Sequence, residues 1–248
     1  MKKFLRISGL IALGLLILGL TGFLIWANNP AEPQPEAFQS LSNTPEVHFE
    51  TFNDWLVFTP TNKVAATGLI LYPGGRVDSR AYAPHAQAIA AAGFKVIIIP
   101  MPLNFAFFGI NRASQAIDAF PEINHWAVGG HSLGGAMVAE FAKENAQKID
   151  GLALWASYPA ENTDLSDLNL AVISIYATND GLALPEEILS TQPRLPADAR
   201  FMAIPGGNHA GFGWYGIQGG DGELEISKTE QQSQIVSATV SFLVGLEE

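Results

Sequence analysis

The stretch His125-Trp126-Ala127-Val128-Gly129-Gly130-His131-Ser132-Leu133-Gly134-Gly135 decides the fold. Residues 125–129 form a short apolar run suited to a buried strand. From Leu133 to Asn145 the apolar residues Leu133, Met137, Val138 and Phe141 recur at helical spacing. Between the two lies the pattern G-x-S-x-G, Gly130 to Gly134. The bare pattern is weak, and the strand before it and the helix after it give it meaning. A serine on so sharp a strand-to-helix turn stands above the sheet on strained backbone. Glycines on either side keep Cβ atoms out of a crowded place, and Leu133 offers a backbone N–H at a helix N-terminus, where developing negative charge is favoured.

Outward from this turn, short apolar runs alternate with helical segments. Val47–Thr51 and Trp55–Thr59 form a first strand pair, and Thr67–Tyr72, Phe94–Pro100, Gly151–Trp155, Ala171–Ala177 and Phe201–Ile204 are further strands. Helical patterns fill Ser79–Ala92, Asn111–Phe120 and Pro185–Ser190. A last helix starts at Ser227, with Glu230 at capping-box spacing. Strands apolar throughout, alternating with helices, predict a mostly parallel sheet covered on both faces.

A serine hydroxyl needs a base to become a nucleophile. Of the five histidines, His48 and His125 fall in or beside strands and His85 in a helix. His131 adjoins the serine on a turn that splays neighbouring side chains, so it is read as structural. His209 sits in the glycine-rich loop after the last strand, where functional groups collect in parallel sheets, and is the expected base. Asp180, after the strand Ala171–Ala177, is the expected orienting carboxylate; Glu161, Asp164 and Asp167 are its rivals. The chain order is then Ser132, Asp180, His209. The N–H of Leu133 and that of Gly75 or Arg76, in the loop after Thr67–Tyr72, are the candidate oxyanion donors. Met101, Phe105, Phe107 and Phe108 are candidates for an apolar substrate pocket, or for packing or contact with lipid, and Trp214 and Tyr215 for another pocket wall. Neither a metal nor an organic cofactor is expected.

The remaining features bound the class. Lys2, Lys3 and Arg6 precede 21 uncharged residues, Ile7 to Ala27. As a helix this run measures about 31 Å, enough to cross a bilayer. Residues 1–27 are therefore expected to be a single-pass signal anchor, 28–45 a proline-rich linker and 46–248 the catalytic domain. The cationic start places that domain outside the cytoplasm. A signal peptide cleaved after Ala27, giving a secreted protein, is the alternative. The chain has 24 acidic and 13 basic residues, a formal charge of −11. That balance speaks against a nucleic-acid partner. With no cysteine, disulfides, thiolate metal sites and a cysteine nucleophile are excluded.

Taken together, LYPGGRVDSRAYAP, MPLNFAFFGINRA, GGHSLGG, ATNDGL and GGNHAGFGWYG resemble the α/β-hydrolase superfamily from about Glu46 onward, in the small α/β-hydrolase-fold 5, dienelactone-hydrolase-like branch. The resemblance implies an α/β-hydrolase fold, with Ser132 as nucleophile, Asp180 as acid and His209 as base. Dienelactone hydrolases proper use a cysteine nucleophile, so that activity is not carried over. The implied reaction is hydrolysis of a small-molecule acyl ester through an acyl-enzyme. An acyltransferase or peptidase on the same scaffold, or an inactive binding protein, is the alternative. Only about 15 residues separate Trp155 from Ala171, too few for a cap domain, which favours short acyl esters.

Overall fold

Four neighbouring strands are buried along nearly their whole length and form the middle of the sheet: β3 (Thr67–Tyr72), β4 (Lys95–Ile98), β5 (His125–His131) and β6 (Gly151–Trp155). Both faces of these strands are covered, so apolar residues run without interruption. Along β3, Leu69 and Leu71 join the core on one side while Ile70 and Tyr72 join the core on the other. In this computed structural model, which describes residues 2–248, β1 (Val47–Phe52), β2 (Trp55–Pro60), β7 (Ala171–Ala177) and β8 (Arg200–Ile204) complete an eight-stranded sheet. The strand order is β1-β2-β4-β3-β5-β6-β7-β8. The pairs β1–β2 and β2–β4 are antiparallel and all others parallel.

Helices α3 (Ala83–Ala91) and α7 (Lys228–Val244) contribute to one core, α4 (Arg112–Ala119) and α5 (Leu133–Asn145) to the other; the short α6 (Pro185–Ser190) follows β7. The 79–92 segment divides into a 3-10 turn, Ser79–Tyr82, and α3, because Pro84 sits in the first helical turn, where its missing N–H costs nothing. α7 begins at the expected cap, with the Glu230 N–H donating to Ser227 Oγ at 3.1 Å. Between β6 and β7 the connection holds no helix, so no cap domain covers the sheet.

The first helix agrees with the sequence reading, and the segment that follows it departs from it. α1 (Lys2–Ala27) is one apolar helix, and from Arg6 to Ala27 it is long and apolar enough to cross a membrane; Met1 lies outside the described residues. Its end does not simply hand over to a free linker. Residues 28–45 lie on the domain: Ala31 pairs with Val77, the Gln34 N–H donates to the Trp214 carbonyl, and the short α2 (Pro35–Gln39) buries Ala37. Prolines keep this segment from forming a long helix but tolerate a single helical turn and do not prevent backbone bonding to a neighbouring loop.

His85 on α3 is fully buried against Trp155, and among the described residues neither ring nitrogen has a hydrogen-bond partner. Burial pushes its pKa down to about 3, with Lys228 adding in the same sense. The unfolded chain therefore takes up a proton near pH 6.5 that the folded chain refuses until about pH 3, and stability falls as pH drops through that window. His85→Phe keeps the ring and removes the titration. Urea unfolding at pH 7.5 and 4.5 is expected to show the wild type losing about 2 to 3 kcal/mol more than the variant. An equal loss in both would show that His85 is protonated in the folded state.

Candidate active site

The candidate nucleophile stands where strand turns into helix. Ser132 follows β5 directly and caps α5, with φ 53° and ψ −125°. That conformation is strained for a residue with a Cβ and is held by its surroundings. Its N–H donates to the Trp155 carbonyl at 3.0 Å, and its carbonyl accepts from Ser157 Oγ at 2.6 Å and from the Ala136 N–H at 3.1 Å. The glycines make the turn possible. A Cβ on Gly130 would lie 2.4 Å from the Gly134 carbonyl carbon, and one on Gly134 would lie 2.4 Å from both the Tyr72 and Pro73 carbonyl oxygens.

Asp180 and His209 come from loops after β7 and β8, and the parallel pairing of these strands brings the loops together. His209 Nδ1–H donates to Asp180 Oδ2 at 2.8 Å, and both side chains are buried. Asp180 Oδ1 accepts from the N–H groups of Leu182 and Ala183 at 2.8 and 2.7 Å. The carboxylate is thus solvated by backbone dipoles instead of water, and the histidine tautomer follows from its bond to Asp180. Its other nitrogen, Nε2, is buried and makes no hydrogen bond among the described residues. The His209 ring lies 4.6 Å from that of His131, the residue before the serine.

His131 is fixed as a neutral ring. Tyr82 Oη accepts from the Gly74 N–H at 3.0 Å, so its proton goes to His131 Nδ1 at 2.8 Å. Burial lowers the His131 pKa well below the ordinary value, with His209 adding to the effect, and burial raises that of Tyr82. Tyr82 and His131 hold the loop after β3 against the elbow.

In that loop the two candidate oxyanion donors separate. The Arg76 N–H is taken by the Asn104 carbonyl at 2.7 Å, so it is not free for a ligand. The Gly75 N–H makes no hydrogen bond among the described residues, and a Cβ on Gly75 would lie 3.1 Å from Leu133 Cδ2. Of the two candidates, Gly75 is therefore the one with a free N–H, and it lies beside Leu133. A hollow of about 310 Å³ opens next to it, lined by Gly75, Tyr215, Ile217 and residues Asn29 to Ala31. Of the expected pocket residues, Tyr215 lines this hollow. Met101 is buried in the core below α4 and α5, and Trp214 lines a groove between α3 and α7. Phe105 is half-buried against Trp26, and Phe107 and Phe108 lie exposed on the surface. The carboxylate on His209 Nδ1 is that of Asp180, while its rivals Glu161, Asp164 and Asp167 are exposed, with Asp164 holding the Ser166 N–H of its own loop.

These arrangements characterise a known fold family. A model of the alpha/beta hydrolase family matches residues 68–233, two-thirds of the chain, including the elbow, Asp180 and His209. The chain belongs to the alpha/beta hydrolase family. Among solved structures, Est1E from Butyrivibrio proteoclasticus, with ferulic acid bound, is similar with a TM-score of 0.59 at 10% identity, over 79% of this chain and 99% of that one. At that identity the likeness is one of fold. A search of the curated proteins finds no match in sequence.

Sequence reasoning missed several residues that shape the site of this hydrolase. Asp221 accepts from the N–H groups of His209 and Ala210 at 3.0 and 2.8 Å and from that of Gly181 at 3.3 Å, tying the histidine loop to the aspartate loop. Gln231, on α7, brackets Asn208: its Oε1 accepts the Asn208 N–H and its Nε2 donates to the Asn208 carbonyl. Asn104 holds Arg76. Each works on backbone through a fold that only the assembled loops reveal, so no motif announces it. The sole trace of Asp221 is its place in a GGDG run that has the look of an ordinary turn.

Proposed function

We propose that this hydrolase is a serine esterase acting through an acyl-enzyme. The observation that carries the reading is the buried 2.8 Å pair of His209 Nδ1 and Asp180 Oδ2, which leaves Nε2 of His209 unpaired in a site with a strained serine. Ser132 Oγ attacks the acyl carbonyl while His209 Nε2 takes its proton. Asp180 holds the imidazole and stabilises the imidazolium. The Leu133 and Gly75 N–H groups receive the oxyanion. His209 then protonates the departing alkoxide, and the same groups activate water to release the acid.

The uncapped site supports short acyl esters as substrates, since no helical cap offers apolar surface to a long chain. In detergent solution, kcat/KM on p-nitrophenyl acetate or butyrate is expected to exceed that on the palmitate by about tenfold or more. A higher value on palmitate would overturn the short-chain preference.

We read α1 as a retained single-pass anchor with the catalytic domain outside the cytoplasm. Three basic residues precede its apolar core, and the remainder of the chain carries ten basic and 24 acidic residues, a formal −14. Retention is supported by the junction: the Trp26 and Ala27 carbonyls accept from Arg76 Nε at 3.2 Å and Asn104 Nδ2 at 2.9 Å. Cleavage after Ala27 would strip both bonds from the loops beside the oxyanion donor.

A further inference from the structure

The aromatic rings at the end of α1 form one continuous strip. Phe23 and Trp26 have ring centroids 6.1 Å apart, Trp26 lies 5.6 Å from Phe105, Phe105 5.1 Å from Phe107, and Phe107 4.4 Å from Phe108. A Cβ on Gly75 would lie 3.8 Å from Phe105, so the strip passes beside the oxyanion loop. At its far end Phe107 and Phe108 are 45% and 49% exposed. A lone exposed ring on a soluble surface is ordinary. These two are continuous with an apolar helix whose side chains are themselves exposed from Ile7 to Trp26, apart from half-buried Phe23.

Polar clamps fix this junction. The Arg76 guanidinium lies 4.1 Å from the centre of the Trp26 ring, and its Nη2 donates to the Asn29 carbonyl at 2.7 Å. Asn104 receives the Arg76 N–H on its carbonyl while its side chain donates to the Ala27 carbonyl. Leu103 and Asn104 both adopt positive φ to make this turn, 54° and 58°. The last-turn carbonyls of α1, which need partners outside the helix, thus find them in the two loops that border the site, and a cation sits at the helix C-terminus. The helix and the catalytic cleft are therefore held in one orientation.

We propose that the cleft lies on the bilayer surface and that the substrate is a membrane-resident, uncharged or zwitterionic amphiphile bearing a short acyl ester at headgroup depth. The proposal rests on the reading of α1 as an anchor and of Ser132 as the nucleophile. A helix of 22 residues from Arg6 to Ala27 spans about 33 Å, which leaves Trp26 at the interface where indole rings settle. The strip then leads from Trp26 through Phe105 to the exposed Phe107 and Phe108, and carries them toward the interface where aromatic rings favour the membrane. α1 already provides attachment, so the exposed pair sets the tilt of the domain. An uncapped site suits such a substrate, because the long chains stay in the bilayer and only the ester enters the cleft. The formal −14 of the chain after Ala27 disfavours an anionic surface, which selects uncharged or zwitterionic lipid. No lid has to open, so turnover of a water-soluble ester stays independent of the membrane.

The test places the full-length protein in phosphatidylcholine vesicles containing a dioleoylglycerol with a third, acetyl ester, and compares acetate release with hydrolysis of p-nitrophenyl acetate in the water phase. The wild type is expected to cleave both. The double variant Phe107→Ser, Phe108→Ser is expected to lose about tenfold or more on the vesicle ester while staying within about twofold on p-nitrophenyl acetate. Wild-type protein that cleaves only the soluble ester overturns the proposal and leaves the esterase reading standing. So does a double variant that keeps both activities or loses both equally. Failure of the wild type on both esters removes the esterase reading and the proposal with it.

Discussion

Ser132→Ala is expected to lower kcat on a short ester by about 10³ or more, and His209→Ala by a similar factor, with the double variant hardly worse than either single one. The reason for the lack of additivity is that the serine has no activated form without the base, and the base has nothing to deprotonate without the serine. Asp180→Asn is a more specific probe. The amide fits the same space and can still accept from the Leu182 and Ala183 N–H groups on its oxygen. Its nitrogen then faces His209 Nδ1, and a donor in that place forces the imidazole into the tautomer that carries its proton on Nε2. Activity is expected to fall by about 10³ or more while the thermal midpoint changes little. An Asn variant with full activity would show that Asp180 only holds its own loop. Steady-state kinetics on p-nitrophenyl butyrate, with circular dichroism melts of each variant, check these expectations.

The second large effect is structural. Gly134→Val would put a Cβ 2.4 Å from two backbone carbonyl oxygens, those of Tyr72 and Pro73. Neither can move without displacing the end of β3 and the loop that carries Gly75. The change is expected to cost about 3 kcal/mol or more, lowering the thermal midpoint by roughly 10 °C, and to abolish activity even below the melt. Gly219→Val has no neighbouring atom within 4 Å of the new Cβ and serves as the control, with little expected change. A Gly134 variant as stable as that control would mean that the elbow packs more loosely than these distances require.

The strands and helices that carry the site were legible because each has its own period. The helix Leu133–Asn145 and the strands Gly151–Trp155 and Ala171–Ala177 emerge with the bounds expected from their apolar patterns. Asp180 and His209 lie 29 residues apart, and their meeting follows from parallel strands that end on the same edge of the sheet. The loops were less legible. Whether Gly75 or Arg76 offers a free N–H depends on Asn104, whose carbonyl reaches Arg76 only because residues 103 and 104 turn left-handed. Asparagine tolerates that conformation, but nothing about Leu103 announces it, so the pair does not stand out in the sequence. Residues 28–45 carry the composition of a free tether, yet backbone bonds from Ala31 and Gln34 lay them on the domain. Such bonds are made by atoms every residue has, so they leave no mark in the sequence. The expected role of Trp214 as a pocket wall rested on closeness to His209 in the chain, and the 3-10 turn Ala210–Phe212 carries it away to the groove beside α7.

The most direct measurement of the central claim is labelling by a fluorophosphonate, which reacts with a serine only when a base activates it. Full-length protein treated with the probe and analysed by peptide mass is expected to carry one adduct, on Ser132, with labelling at least about 10²-fold slower in folded His209→Ala. An adduct absent from folded wild-type protein, or formed on another residue and undiminished in Ser132→Ala, would contradict the account.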